Sequence, residues 1–154
     1  AISLLADNGG PVPSLVDVID MPTLKAGKKT ELDSRVLAAI FREHRPDHVT
    51  VESVHAMPGQ GVSSMFSFGR GFGVILGVLA ALDIPYTLVS PQKWQRSVLG
   101  RLPRAEGKGK AIQWAALTFP DAVLKTPRGR MLDGRADALA IAFYGLLTER
   151  RKAA

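Results

Sequence analysis

The sequence has no cysteine. That excludes disulfides, thiolate zinc sites and cysteine nucleophiles, and it fits an intracellular protein without requiring one. Histidine is scarce, at three, and no HExxH pair occurs, which argues against a structural zinc site. No secretory signal is visible. The longest apolar run, Phe72 to Leu82, is shorter than the ~20 residues a bilayer span needs and reads as a core helix, so no membrane role is expected. No repeat and no linker divides the chain. Its 154 residues, 46% of them hydrophobic, are therefore expected to form a single domain over 1–154 with a substantial core.

Acidic residues are in the minority, 14 against 20 lysines and arginines, and the net charge is +6. A basic balance alone does not identify a nucleic-acid partner; its distribution says more. Lys93, Arg96, Arg101, Arg104, Lys108 and Lys110 are opposed only by Glu106, so a surplus of +5 sits in one stretch. A second cluster follows at Lys125, Arg128, Arg130 and Arg135. A solvated face explains such clusters, but their position beside the acidic candidates below favours phosphate contacts.

The pattern along the chain is α/β. Ile2 to Leu5 and Ser14 to Asp20 read as a hairpin joined by the turn Asp7-Asn8-Gly9-Gly10-Pro11. Lys25 to Lys29 reads as a basic, Gly-containing loop. Thr30 reads as the start of a helix, with Asp33 three residues on as an approximate capping box, and the face from Leu32 to Ile40 is expected to pack inward. His48 to Val54 is a strand, and 63–82 a long helix. Gly69, Gly73 and Gly77 repeat at every fourth position of that helix. Each costs about 1 kcal/mol against alanine, so close packing is expected, either on the sheet or as a helix–helix dimer seam. Pro85 to Val89 is a strand, and Pro91 opens a short helix. Further helices cover Lys110 to Thr118 and Gly134 to Arg151, the last with an apolar stripe of Ala138, Ile141, Ala142 and Leu146 and basic residues at its C-terminal end. Helices are expected on both faces of the sheet.

Glu52 is the most informative residue. It sits mid-strand among valines, where a carboxylate is costly unless it is paired or bound to a metal. Asp133 and Asp137 lie four apart at the start of the final helix, so both carboxylates can face the same side. Blander roles exist: Asp133 as a helix cap, Glu52 as an arginine partner. Taken together in a basic chain without other catalytic machinery, the three carboxylates favour a Mg²⁺ or Mn²⁺ site. Phosphodiester hydrolysis is the natural use of such a site.

The segments VTVESVHAMPGQGVSSMFSFGRGFGVILGVLAAL, IPYTLVSPQKWQRSVLG and DGRADALAIAFYG resemble the RuvC family of Holliday-junction resolvases, and most the shorter RuvC-like proteins of phages and prophages. The resemblance implies an RNase H-like fold, a mixed sheet flanked by helices on both faces, and a homodimer that uses Mg²⁺ or Mn²⁺. The implied activity is resolution of four-way DNA junctions, in a cytoplasmic, nucleoid-associated setting. Glu52 matches the family's strand glutamate and Asp137 its last helix aspartate, while Asp133 takes the acidic position before it. His55 falls where some relatives carry an aromatic that inserts at the junction centre; Phe66, Phe68 and Met57 lie nearby in sequence. Lys93, Arg96, Arg101, Arg104, Lys108, Lys110, Arg128 and Arg130 are the expected DNA contacts. The family opens with a strand bearing an aspartate, which has no counterpart in this sequence; Asp7 belongs to a turn and does not replace it. Taken literally, the residues shown are expected to support DNA binding and partial metal binding with little or no cleavage. Two alternatives follow: a non-catalytic junction-binding protein, and an RNase H-like nuclease acting on other branched or hybrid nucleic acids. A dinucleotide-binding reading of Gly69 to Gly73 fails because the cluster lies inside a helix.

Overall fold

In the computed structural model, residues 1–27, 29–53, 59, 61–100 and 109–154 are described. They divide into two compact units. The first joins Ala1–Asp20 to Val89–Ala154; the second is Met21–Leu88.

The first unit opens with β1 (Ile2–Ala6) and β2 (Ser14–Ile19), an antiparallel hairpin as expected. Its turn is held by short side chains: Asp7 Oδ1 accepts from the Gly9 N–H and Asn8 Oδ1 from the Gly10 N–H, with Gly9 at φ +74°. Leu4 pairs with Asp17 and Leu5 with Leu15, so Val16 is an extra residue in β2. This bulge resolves the break in alternation at Leu15-Val16. Leu15 and Val18 pack on the core while Val16 stays exposed.

β1 lies against the last helix, and the Ser3 hydroxyl donates to the Ala138 carbonyl at 2.7 Å. The core gathers Val89, Trp94, Val98, Leu99, Trp114, Phe119, Leu124, Leu139 and Tyr144. Trp114, Phe119 and Phe143 meet edge to face, with ring centres 5.3 to 6.4 Å apart. The remaining helices here are α3 (Pro91–Trp94), running into a π-helical turn over Gln95–Leu99, α4 (Gly109–Thr118) and α5 (Asp133–Ala153). A Cβ on Gly100 would run into the Arg96 carbonyl oxygen, so glycine suits the end of that widened turn. α5 buries Ala136, Leu139, Ala140 and Tyr144 rather than the predicted stripe, whose members are half-buried; the helix is packed on more than one side.

The second unit holds β3 (Thr23–Ala26), β4 (Lys29–Leu32), α1 (Ser34–His44), β5 (Val49–Glu52), α2 (Val62–Ala81) and most of β6 (Tyr86–Val89). β3 and β4 form an antiparallel hairpin where the sequence predicts a loop. Gly27, at φ +62°, turns the chain there. Thr30 therefore lies in β4 and does not open α1. The N-cap is Asp33, whose carboxylate accepts from the Arg35 and Val36 N–H groups at 3.0 and 3.1 Å. The buried face of α1 is Leu37 and Phe41, one position round from the expected face, leaving Val36 exposed. Among the described residues the strands pair as β1–β2, β3–β4 and β5–β6, three two-stranded sheets rather than one continuous sheet.

α2 departs most from expectation. At 20 residues and a mean hydropathy of 1.5 it is long and apolar enough to cross a bilayer by length and composition alone. It contacts α1 and β4, yet buries only Leu79. The predicted core helix is mostly surface. A Cβ placed on Gly69, Gly73 or Gly77 meets nothing within 4 Å, so the stripe has no close partner among the described residues.

Candidate functional site

The three expected metal ligands fall on two units. Glu52 is the last residue of β5, half-buried where the strand ends, in the second unit. Asp133 and Asp137 are in the first, one turn apart at the N-terminus of α5 and both half-buried. The N-cap of α5 is Leu132, without any side-chain capping bond, so Asp133 is not the helix cap. Its carboxylate accepts from the adjacent Gly134 N–H at 3.1 Å. Hard oxygen donors spaced by one turn, near the positive end of a 21-residue helix, suit part of a divalent-cation shell. Within either unit, no group of three His, Asp or Glu residues lies close enough to hold a metal ion among the described residues.

The approach to Asp133 is rigid. Thr126 N–H donates to the Arg130 carbonyl at 2.9 Å, Arg130 N–H to the Thr126 hydroxyl at 3.0 Å, and Gly129 N–H to the Thr126 carbonyl at 2.8 Å. Gly129 sits at φ +80°, and Lys125 bridges Met131. The predicted basic loop is thus a tight turn that presents Arg128 and Arg130 to solvent just before the two aspartates.

Arg135 behaves differently from the rest of its cluster. Its guanidinium donates to both Asp20 oxygens, at 2.8 and 3.0 Å, and to the Val123 carbonyl at 3.0 Å. These bonds hold the Asp20 carboxyl below the ordinary carboxylate range. Arg135 therefore ties the end of β2 to α5, and its guanidinium is already partnered. Arg150, in the last turn of α5 as expected, is likewise occupied: it donates to Asp7 and to the Gly10 carbonyl, gripping the β1–β2 turn. The pairing draws the Asp7 carboxyl down to about 2, which makes Asp7 a turn residue with a structural partner.

Of the other expected DNA contacts, Lys93 and Arg96 are exposed and border an open, shallow depression with Ser90, Gln92 and Ser97. Lys110 is half-buried at the start of α4. Arg101, Arg104 and Lys108 lie outside the described residues, as do His55 and Met57. Phe66 and Phe68 are exposed, not core. Lys25 and Lys29, expected in a loop, lie in β3 and β4; the alternation Thr-Leu-Lys-Ala before Gly27 is the signal for that hairpin.

No protein-family model matches the sequence, and no curated protein matches it. Solved structures do. The Thermus thermophilus RuvC structure aligns with a TM-score of 0.54 at 16% identity, over 83% of this chain and 87% of that one. In fold the chain is similar to RuvC. T. thermophilus RuvC in complex with a Holliday junction substrate aligns equally well, with a TM-score of 0.54 at 16% identity, over 74% of this chain and 66% of that one. At such identity the likeness to RuvC concerns the fold, and the chemistry has to be argued from side chains.

Proposed function

We propose that this protein is a structure-selective DNA endonuclease that resolves four-way junctions by metal-dependent phosphodiester hydrolysis. The observation that carries the reading is the pair Asp133 and Asp137, placed one turn apart behind an exposed arginine turn, in a chain similar in fold to RuvC. The solved RuvC complex with a Holliday junction suggests the substrate class.

In this reading Asp133 and Asp137 would supply ligands to Mg²⁺ or Mn²⁺, and Glu52 is proposed as a further ligand. A cation held there supplies charge stabilisation to the scissile phosphate. Arg128, Arg130, Lys93 and Arg96 bind phosphates flanking it and fix the register of the strand. The exposed Phe66 and Phe68 are available to stack on unpaired bases. The apolar α2, with its open glycine positions, is the face a second copy would cover, in keeping with two symmetric cuts.

The test uses a labelled four-way junction with Mg²⁺ and the complete protein. Where the protein nicks the junction, Glu52→Gln and Asp137→Asn each lower cleavage roughly 100-fold or more while gel-shift affinity holds. Persistent cleavage in either variant removes that residue from the site. A gel shift without nicks by the unsubstituted protein replaces the nuclease with a junction-binding role.

A further inference from the structure

The β3–β4 hairpin is built unlike a structural element. Every residue of β3 is exposed, and only Glu31 and Leu32 of β4 are half-buried. An isolated two-stranded hairpin is marginal in water, so something must hold this one. Its base is held: the Asp33 N–H donates to the Pro22 carbonyl at 2.9 Å, β4 contacts α2, and Glu31 pairs with Arg70 of α2. Among the described residues the tip has no such support, and its sequence carries charge of one sign. Lys25 and Lys29 are exposed, neither enters an ion pair among the described residues, and the hairpin's one acidic residue is neutralised by Arg70.

The register places the two lysines on opposite faces. Lys25 stands across from Thr30, and Lys29 across from Ala26. Residues directly across a ladder share a face and neighbours along a strand alternate, so Lys25 and Thr30 point one way, Ala26 and Lys29 the other. A ribbon with side chains is about 10 Å thick, and strands of this length reach roughly 13 Å. The major groove of duplex DNA is about 12 Å wide and lined on both walls by phosphates. A ribbon entering tip first would offer one ammonium to each wall.

We infer that the β3–β4 hairpin is a second DNA-contacting element, which enters the groove of a duplex arm and bridges its two phosphate backbones through Lys25 and Lys29. The inference rests on the DNA reading above, and adds to it a contact made through the second unit. The competing account is that lysines on an edge strand only block sheet-to-sheet aggregation.

The experiment measures fluorescence-anisotropy affinities of the complete protein for a four-way junction and a 20-bp duplex, in EDTA, over a salt series. Each phosphate neutralised contributes a slope of about 0.9 in log K against log salt, so Lys25→Ala/Lys29→Ala makes both slopes shallower by about 2. Affinity falls several-fold on both probes, and Lys25→Arg/Lys29→Arg restores the slope. An unchanged slope overturns the inference; if that variant also aggregates, the lysines are edge protection. A shallower slope in a protein with no preference for the junction over the duplex upholds the hairpin contact and removes the junction reading. A wild-type protein that binds neither probe overturns both.

Discussion

The two units bury their apolar residues in opposite ways. The first closes a continuous core around Trp94, Trp114, Leu139 and Tyr144. In the second, the buried hydrophobic residues among those described are Leu37, Phe41 and Leu79, while Val62, Phe66 and Phe68 of α2 stand 84, 73 and 61% exposed. Apolar surface on this scale marks an interaction site more often than an accident. One unit is held by its own packing; the other leaves its most hydrophobic helix largely exposed.

Substitutions at matched positions can break that contrast. The largest effect is expected at Trp94, 2% exposed: Trp94→Ala should cost about 3–5 kcal/mol by chemical denaturation, whereas Phe66→Ala should leave stability nearly unchanged. Equal costs would mean that α2 is covered after all. Glycine gives a contrast of sign. Gly100→Ala must displace the Arg96 carbonyl and should cost about 1–3 kcal/mol. Gly73→Ala meets nothing and should raise helix stability by up to about 1 kcal/mol, while weakening self-association in sedimentation if α2 is a dimer seam. The smallest effect concerns pH. The Arg150 pairing lowers the Asp7 carboxyl from 3.8 to about 2 in the folded state. Its contribution is therefore complete above about pH 4 and lost as the pH falls through 2. Melting curves of wild type and Asp7→Asn should differ at pH 6 and converge near pH 2.

What the sequence made legible follows the physics of each segment. The first hairpin is readable because Asp7 to Gly10 encodes its own turn, and α5 because Ala138, Ile141, Ala142 and Leu146 recur at helical spacing. The second hairpin was missed because Lys-Ala-Gly-Lys-Lys looks like any polar loop when its strands bury nothing. The start of α1 was misplaced because Thr30 and Asp33 are both acceptable caps, and only the pairing of β4 removes Thr30 from contention. The fate of Arg135 and Arg150 was invisible: their partners, Asp20 and Asp7, lie more than a hundred positions away, and no local pattern announces such pairs. The candidate site was legible as residue types, since carboxylates on a strand end and a helix start are unusual in a basic chain.

The chain topology of the first unit has a consequence for biosynthesis. Its hairpin is completed within the first twenty residues, but the helix that covers β1 and grips the Asp7 turn spans Asp133–Ala153. On the ribosome the hairpin must wait for that helix while the whole of Met21–Leu88 emerges with its apolar α2. Nascent chains in that state expose the kind of surface that chaperones bind. Translation past α5 would then be the event that commits the β1–β2 hairpin to its final place.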